Sequence, residues 1–124
     1  MNRKIEKEII RLVDDDEDQR RALRFLLEAA GYEVRDYPSG RDFLVNDEPS
    51  VPGCAILDLQ MPEMDGLEAT RIIRKVSQEI PIIALTAFAF DDDRVKALEA
   101  GCNDYLTKPL SAPLLKETIA KYLV

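Results

Sequence analysis

Four apolar runs in this chain each end on a polar residue that a buried strand would not select for its own stability. Ile9-Ile10-Arg11-Leu12-Val13 runs into Asp14-Asp15, and Cys54-Ala55-Ile56-Leu57 runs into Asp58. Ile82-Ile83-Ala84-Leu85 runs into Thr86, and Tyr105-Leu106-Thr107 runs into Lys108-Pro109. As parallel strands of one sheet, these runs would place their carboxyl ends side by side. One crevice would then collect three carboxylates, a hydroxyl and an ammonium. Open α/β sheets bind ligands in that place.

The segments between the runs have the period of helices. The first strand is expected over about Glu8 to Val13. A helix follows from about Asp18 to Ala30, with Ala22, Leu23, Leu26, Leu27 and Ala30 on one face, and stops at Gly31. Tyr32 to Tyr37 alternates in the mixed manner of an edge strand. Pro38-Ser39-Gly40 turns into a short helix carrying Phe43, Leu44 and Val45, and Asn46 to Gly53 is a polar loop. Beyond Asp58, a loop through Gly66 leads to a helix with Leu67, Ala69, Ile72, Ile73 and Val76. Pro81 opens the next strand, Asp91-Asp92-Asp93 starts a helix closed by Gly101, and a last helix runs from Ser111 with Leu114, Leu115, Ile119 and Leu123. Five such βα units predict a doubly wound parallel α/β sheet with helices on both faces. The 124 residues suit one domain, spanning 1–124.

A net charge of -7 argues against nucleic-acid binding and against contact with an anionic membrane surface. No apolar run approaches the ~20 residues of a membrane span. The basic start Met1-Asn2-Arg3-Lys4 lacks the apolar stretch of a signal peptide. Cys54 and Cys102 fall near the starts of strands that would not be neighbours, so no bridge is expected between them. Unpaired thiols suit a reducing compartment, and the expected location is cytoplasmic.

The acidic residues have two readings. Asp16 and Asp18 are assigned to capping and first-turn charge on the first helix. Asp14 and Asp15 differ, because Val13 still belongs to the strand. Clustered carboxylates repel by roughly 1 kcal/mol per pair at about 4 Å in water, and by about 4 kcal/mol at an effective dielectric near 20. With Asp58 facing them, a bound cation is the simplest compensation. The donors are hard oxygens and the chain has no His, which favours Mg²⁺. An EF-hand reading of Asp14, Asp16 and Asp18 fails, since Gln19 stands where that loop needs Gly and Phe25 where it needs Glu. Lys108 could snorkel to solvent, or its ammonium could reach the carboxylates and then a phosphoryl oxygen. The Lys108-Pro109 bond is a candidate for the cis form. Thr86 could be β-branched strand filler, or could donate its hydroxyl to the same phosphoryl group.

Taken together, Val13-Asp14-Asp15, Asp58-Leu59-Gln60-Met61-Pro62-Glu63-Met64-Asp65-Gly66, Leu85-Thr86-Ala87 and Lys108-Pro109 resemble the response-regulator receiver domain of two-component signalling. The resemblance covers essentially the whole chain, in order and spacing. It implies a flavodoxin-like sheet in the order 2-1-3-4-5. It also implies Asp58 as phosphoacceptor, and Asp14, Asp15 and Asp58 with the backbone carbonyl of Gln60 as Mg²⁺ ligands. Thr86 and Lys108 would bind the phosphoryl group, and Tyr105 would be the switch aromatic beside Thr86. Gly66 would free the turn opening the third helix, and Pro62 would shape the loop below the site.

The phosphodonor would be a histidine kinase or a histidine-phosphotransfer protein, because the chain cannot supply a phosphohistidine itself. Gln60-Met61-Pro62 with Gly66-Leu67-Glu68-Ala69-Thr70-Arg71 also looks similar to receivers fused to hybrid histidine kinases. Such a domain would catalyse its own phosphorylation and dephosphorylation without turning over external substrates.

Two residues depart from the family pattern. Arg11 stands inside the first strand, where it could snorkel, pair with an acidic neighbour or mark a modified terminus. Phe88 is a bulky group beside the expected water path. An aspartyl-nucleophile phosphatase is the competing class, but it wants an Asp-x-Asp pair with Thr or Val two residues further on. Here Asp18 follows Asp14-Asp15-Asp16. A protein-interaction module with a degenerate site is disfavoured because every site residue is present.

Overall fold

The computed structural model of the chain describes residues 8–61, 63–87 and 91–123, the side chains of 91–93 excepted. The expectations resting on Pro62 and on Phe88 lie outside the described residues.

Strands β1 (Ile9–Val13), β2 (Glu33–Tyr37), β3 (Gly53–Asp58), β4 (Ile82–Thr86) and β5 (Asp104–Thr107) alternate with five helices. These are α1 (Glu17–Ala29), α2 (Gly40–Asn46), α3 (Gly66–Val76), α4 (Asp91–Ala100) and α5 (Ala112–Tyr122). The strands form one parallel sheet in the order β2-β1-β3-β4-β5, as the resemblance implies.

The period-two alternation of the strands sorts the core into two layers. Ile10, Leu12, Ile56 and Leu85 pack with Leu23 and Leu27 of α1 and with Leu115 and Ile119 of α5. On the other face Val13, Leu57 and Ala84 pack with Phe43 of α2, Ile73 of α3 and Ala97 of α4. β1 and β3 are covered on both sides, which is why they read as continuous apolar runs rather than alternating ones.

Local chemistry fixes the helix starts. Asp16, Ser39, Asp65 and Ser111 each accept a backbone N–H from the first turn of α1, α2, α3 and α5 respectively. The capping role expected of Asp16 is therefore observed, with α1 starting at Glu17.

The apolar stripes are narrower than their periodicity suggests. Ala22 of α1 and Ala30 just past its end are exposed, as are Val45 of α2 and Val76 at the end of α3. A helix lying on a sheet buries only the strip facing it.

Arg11 is resolved in favour of the acidic pairing. It is fully buried, and its Nε donates to both carboxylate oxygens of Asp47, at 2.7 and 2.9 Å. Its Nη2 donates to the carbonyls of Glu48 and Val51, at 2.9 and 2.6 Å. A buried guanidinium thus ties the α2–β3 connection beneath the sheet. Cys54 and Cys102 are free and buried.

Candidate functional site

The site is built by strand ends. Parallel pairing sets Val13 beside Leu57 and Asp58 beside Leu85, so Asp14, Asp58 and Thr86 leave adjacent strands at one level. On the far side Thr86 pairs with Thr107, and the N–H of Lys108 donates to the Thr86 carbonyl at 2.7 Å. The Lys108–Pro109 peptide is cis, matching the sequence expectation.

Asp58 is almost completely buried, with both carboxylate oxygens engaged. Oδ2 accepts from Lys108 Nζ at 2.6 Å, and Oδ1 accepts from the backbone N–H of Gln60 at 2.9 Å. Charge-assisted bonds of this length are the strong class. Oxygen atoms of Asp14, Asp15 and Asp58 lie within 4.8 Å of one another. Asp14 is fully buried while Asp15 is exposed.

Asp14 carries the electrostatic burden of this cluster. Its Oδ1 accepts the N–H of Asp16 at 3.0 Å, while its buried Oδ2 has no hydrogen-bond partner. Burial is the main cause that raises its pKa to about 6, and the neighbouring Asp58 raises it further; the Asp16 N–H and Lys108 act the other way. A buried carboxylate with one orphaned oxygen, clustered with two further carboxylates, fits a hard divalent cation. The residues present therefore suit Mg²⁺.

Gly66 keeps this geometry compact. A Cβ there would stand 2.5 Å from the Asp58 carbonyl and 2.9 Å from Leu59 Cα. Glycine is required for close approach of α3 to the Asp58 backbone, rather than for freedom of the turn as the resemblance implies. The left-handed residue of that loop is Glu63, with φ 66.

Tyr105 is half-buried on β5, paired with Ala84, and packs against the core beneath α2, α3 and α4. Ala84 and Thr86 point to the same face of β4, so Tyr105 lies on the Thr86 side of the sheet.

Sequence reasoning missed Arg20 and Asp36. Arg20 Nη1 donates to the Asp14 carbonyl at 2.8 Å, and its Nε donates to Asp36 Oδ2 at 3.0 Å. The available signal was an acidic residue on the inward face of β2, two positions after buried Val34.

Residues 10–120 match the family described as the response regulator receiver domain. The chain belongs to this family. It is 37% identical over 116 residues to the polar-differentiation response regulator DivK of Brucella ovis, covering 92% of this chain and 94% of that one. The fold is similar to that of chemotaxis protein CheY4 of Vibrio cholerae, with TM-score 0.88, 28% identity and coverage of 94% of this chain and 99% of that one. It is also similar to the receiver domain of sensor histidine kinase PA1611 from Pseudomonas aeruginosa PAO1, with TM-score 0.84, 33% identity and coverage of 94% and 97%. That receiver structure has a magnesium ion coordinated in its active-site cleft. The chain is thus a phosphoacceptor receiver domain of two-component signalling. Among its described residues no helix is long and apolar enough to cross a membrane.

Proposed function

We propose that Asp58 is the phosphoacceptor, and that residues 1–124 act as one receiver unit taking its phosphoryl group from a partner's phosphohistidine. The observation that carries this reading is the setting of Asp58. It is a buried carboxylate held between the Lys108 ammonium and the Gln60 N–H, clustered with Asp14, whose Oδ2 has no partner.

A carboxylate is a weak nucleophile, so its reactivity depends on position and on neutralisation of charge. In the transfer, an Asp58 oxygen forms a bond to phosphorus as the donor's phosphorus–nitrogen bond breaks. The electron pair of that bond stays with the departing imidazole. Lys108 neutralises charge on the transferring oxygens, and the Thr86 hydroxyl donates to one of them. Mg²⁺ held by Asp14, Asp15, Asp58 and the Gln60 carbonyl would supply further charge neutralisation at the same oxygens. Tyr105 is the aromatic that responds when Thr86 is drawn toward the phosphoryl group.

The chain contains no His, so the donor is a separate group, on a histidine kinase or a histidine-phosphotransfer protein. The free buried thiols of Cys54 and Cys102 support a cytoplasmic location.

The test uses acetyl phosphate with Mg²⁺. One acid-stable, base-labile phosphoryl group should appear on Asp58, and Asp58→Asn should abolish it. Mass mapping of the label to Asp14, Asp15 or a hydroxyl would overturn the assignment.

A further inference from the structure

We propose that Arg20, clamped by Asp36, is a positioning residue for the cation site and acts through the backbone of Asp14. This rests on the reading of Asp14 as a Mg²⁺ ligand. Asp14 is where the chain leaves β1 for α1, and both of its backbone polar groups are referred to β2. Its N–H donates to the Tyr37 carbonyl at 3.2 Å, and its carbonyl accepts from Arg20 Nη1 at 2.8 Å. Arg20 Nε in turn donates to Asp36 Oδ2 at 3.0 Å, one residue before Tyr37. With Oδ1 held by the Asp16 N–H, Oδ2 is the one Asp14 side-chain oxygen left without a partner. Releasing the carbonyl would let the peptide plane turn and shift the Asp14 carboxylate relative to Asp15 and Asp58.

The charge of Asp36 does not by itself require Arg20. Arg24 Nη1 also pairs with Asp36, on its Oδ1, while its Nε is turned to Glu28. What distinguishes Arg20 is the carbonyl it holds. The planar fork of a guanidinium can bond a carboxylate through Nε and a carbonyl through Nη1 at once, whereas an ammonium is a single point charge on a flexible stem. Partners that orient a metal ligand typically contribute roughly 10- to 100-fold in metal affinity. A hold on the ligand's backbone belongs at the lower end.

The experiment measures Mg²⁺ affinity by calorimetry, metal-free melting temperature, and acetyl phosphate labelling rate at limiting and saturating Mg²⁺. The full chain is compared with Arg20→Lys, Arg20→Gln, Asp36→Asn and Arg24→Gln. Arg20→Lys and Arg20→Gln should bind Mg²⁺ about tenfold more weakly, and saturating Mg²⁺ should restore their labelling rate to near the wild-type value. Asp36→Asn should follow them in part, and Arg24→Gln should bind as wild type. Because Arg20→Lys keeps the charge, its loss of affinity separates positioning from electrostatics. Folded Arg20 variants with wild-type Mg²⁺ affinity overturn the proposal, whatever their melting temperatures, since a merely structural role would move only the melt. A wild-type chain that fails to bind Mg²⁺ overturns the metal-site reading itself, and with it this inference.

Discussion

Lys108 Nζ lies 2.6 Å from Asp58 Oδ2, across 50 residues of sequence and two strand ends. The Asp58 side chain is 4% exposed and that of Lys108 20%, so the pair sits at the floor of the crevice with the ammonium nearer its mouth. Lys108 therefore compensates the acidic cluster when no cation is bound, and in the proposed transfer it would also meet a phosphoryl oxygen. These two roles pull in opposite directions when Lys108 is removed.

Lys108→Ala should leave Mg²⁺ affinity unchanged or improved, since a cation next to the metal site opposes a second cation. Labelling by acetyl phosphate at saturating Mg²⁺ should nevertheless fall by about 10²-fold or more, the usual scale for losing one preorganised charge contact to a transition state. Calorimetry and labelling kinetics on the same variant give the test. A parallel loss of both would mean that Lys108 only supports the fold.

The raised pKa of Asp14 has a definite sign in stability. Its folded value, about 6, lies above the unfolded value near 4, so the folded state binds the proton more tightly. Burying Asp14 unprotonated therefore costs stability above about pH 6, and that cost disappears as pH falls toward 4. In metal-free buffer at pH 7.5, Asp14→Asn should be more stable than wild type by about 2–3 kcal/mol. The difference should shrink steadily to zero near pH 4. Adding Mg²⁺ at pH 7.5 should raise the melting temperature of wild type and not that of Asp14→Asn. A variant less stable than wild type in metal-free buffer would show that Asp14 is satisfied in some other way.

Arg11 and Asp47 form a buried ion pair that no homogeneous core would contain, with side chains 0% and 7% exposed. Removing one partner strands the other charge, so Arg11→Met alone should cost about 3–5 kcal/mol. Replacing both, as in Arg11→Met with Asp47→Ala, should cost clearly less than the sum of the single changes, because no charge is then left behind. Urea denaturation of the four proteins measures the coupling. Additive losses would place the contribution in the carbonyl bonds to Glu48 and Val51 rather than in the pair.

What the sequence made legible follows from how local each signal is. Apolar runs broken by a polar residue are a one-dimensional record of strands ending at a site, so Asp14, Asp58, Thr86 and Lys108 could be placed from spacing alone. Asp47 could not, because it lies in a polar loop and its partner Arg11 is 36 residues away in the chain. In sequence Asp36 is one more polar position in a mixed edge strand, although it shares a face with Val34 and lies beneath α1. Gly66 suggests backbone freedom in sequence, while its actual constraint is a carbonyl that only the folded chain brings near. Contacts set by how helices lie across the sheet leave no periodic trace in sequence.

If Tyr105 is the switch aromatic, it should report phosphorylation. Phosphoryl oxygens on Asp58 add about 1.5–2 negative charges at pH 7 and recruit hydroxyl and ammonium donors. Thr86, at the end of β4, should be drawn toward them, and Tyr105 on the same side of the sheet should shift into the space released. A bias of a few kcal/mol, within reach of two or three charge-assisted hydrogen bonds, is enough to move such an equilibrium most of the way. The beryllofluoride adduct of Asp58 with Mg²⁺ should therefore perturb amide resonances of β5, the described residues of α4 and the start of α5 more strongly than those of β2 from Glu33 to Tyr37. Thr86→Ala should bind beryllofluoride yet lose most of the β5 response, because the link from the adduct to Tyr105 is removed. Shifts confined to the loops around Asp14 and Gln60, with Tyr105 unmoved, would mean that the output of this receiver leaves through another face.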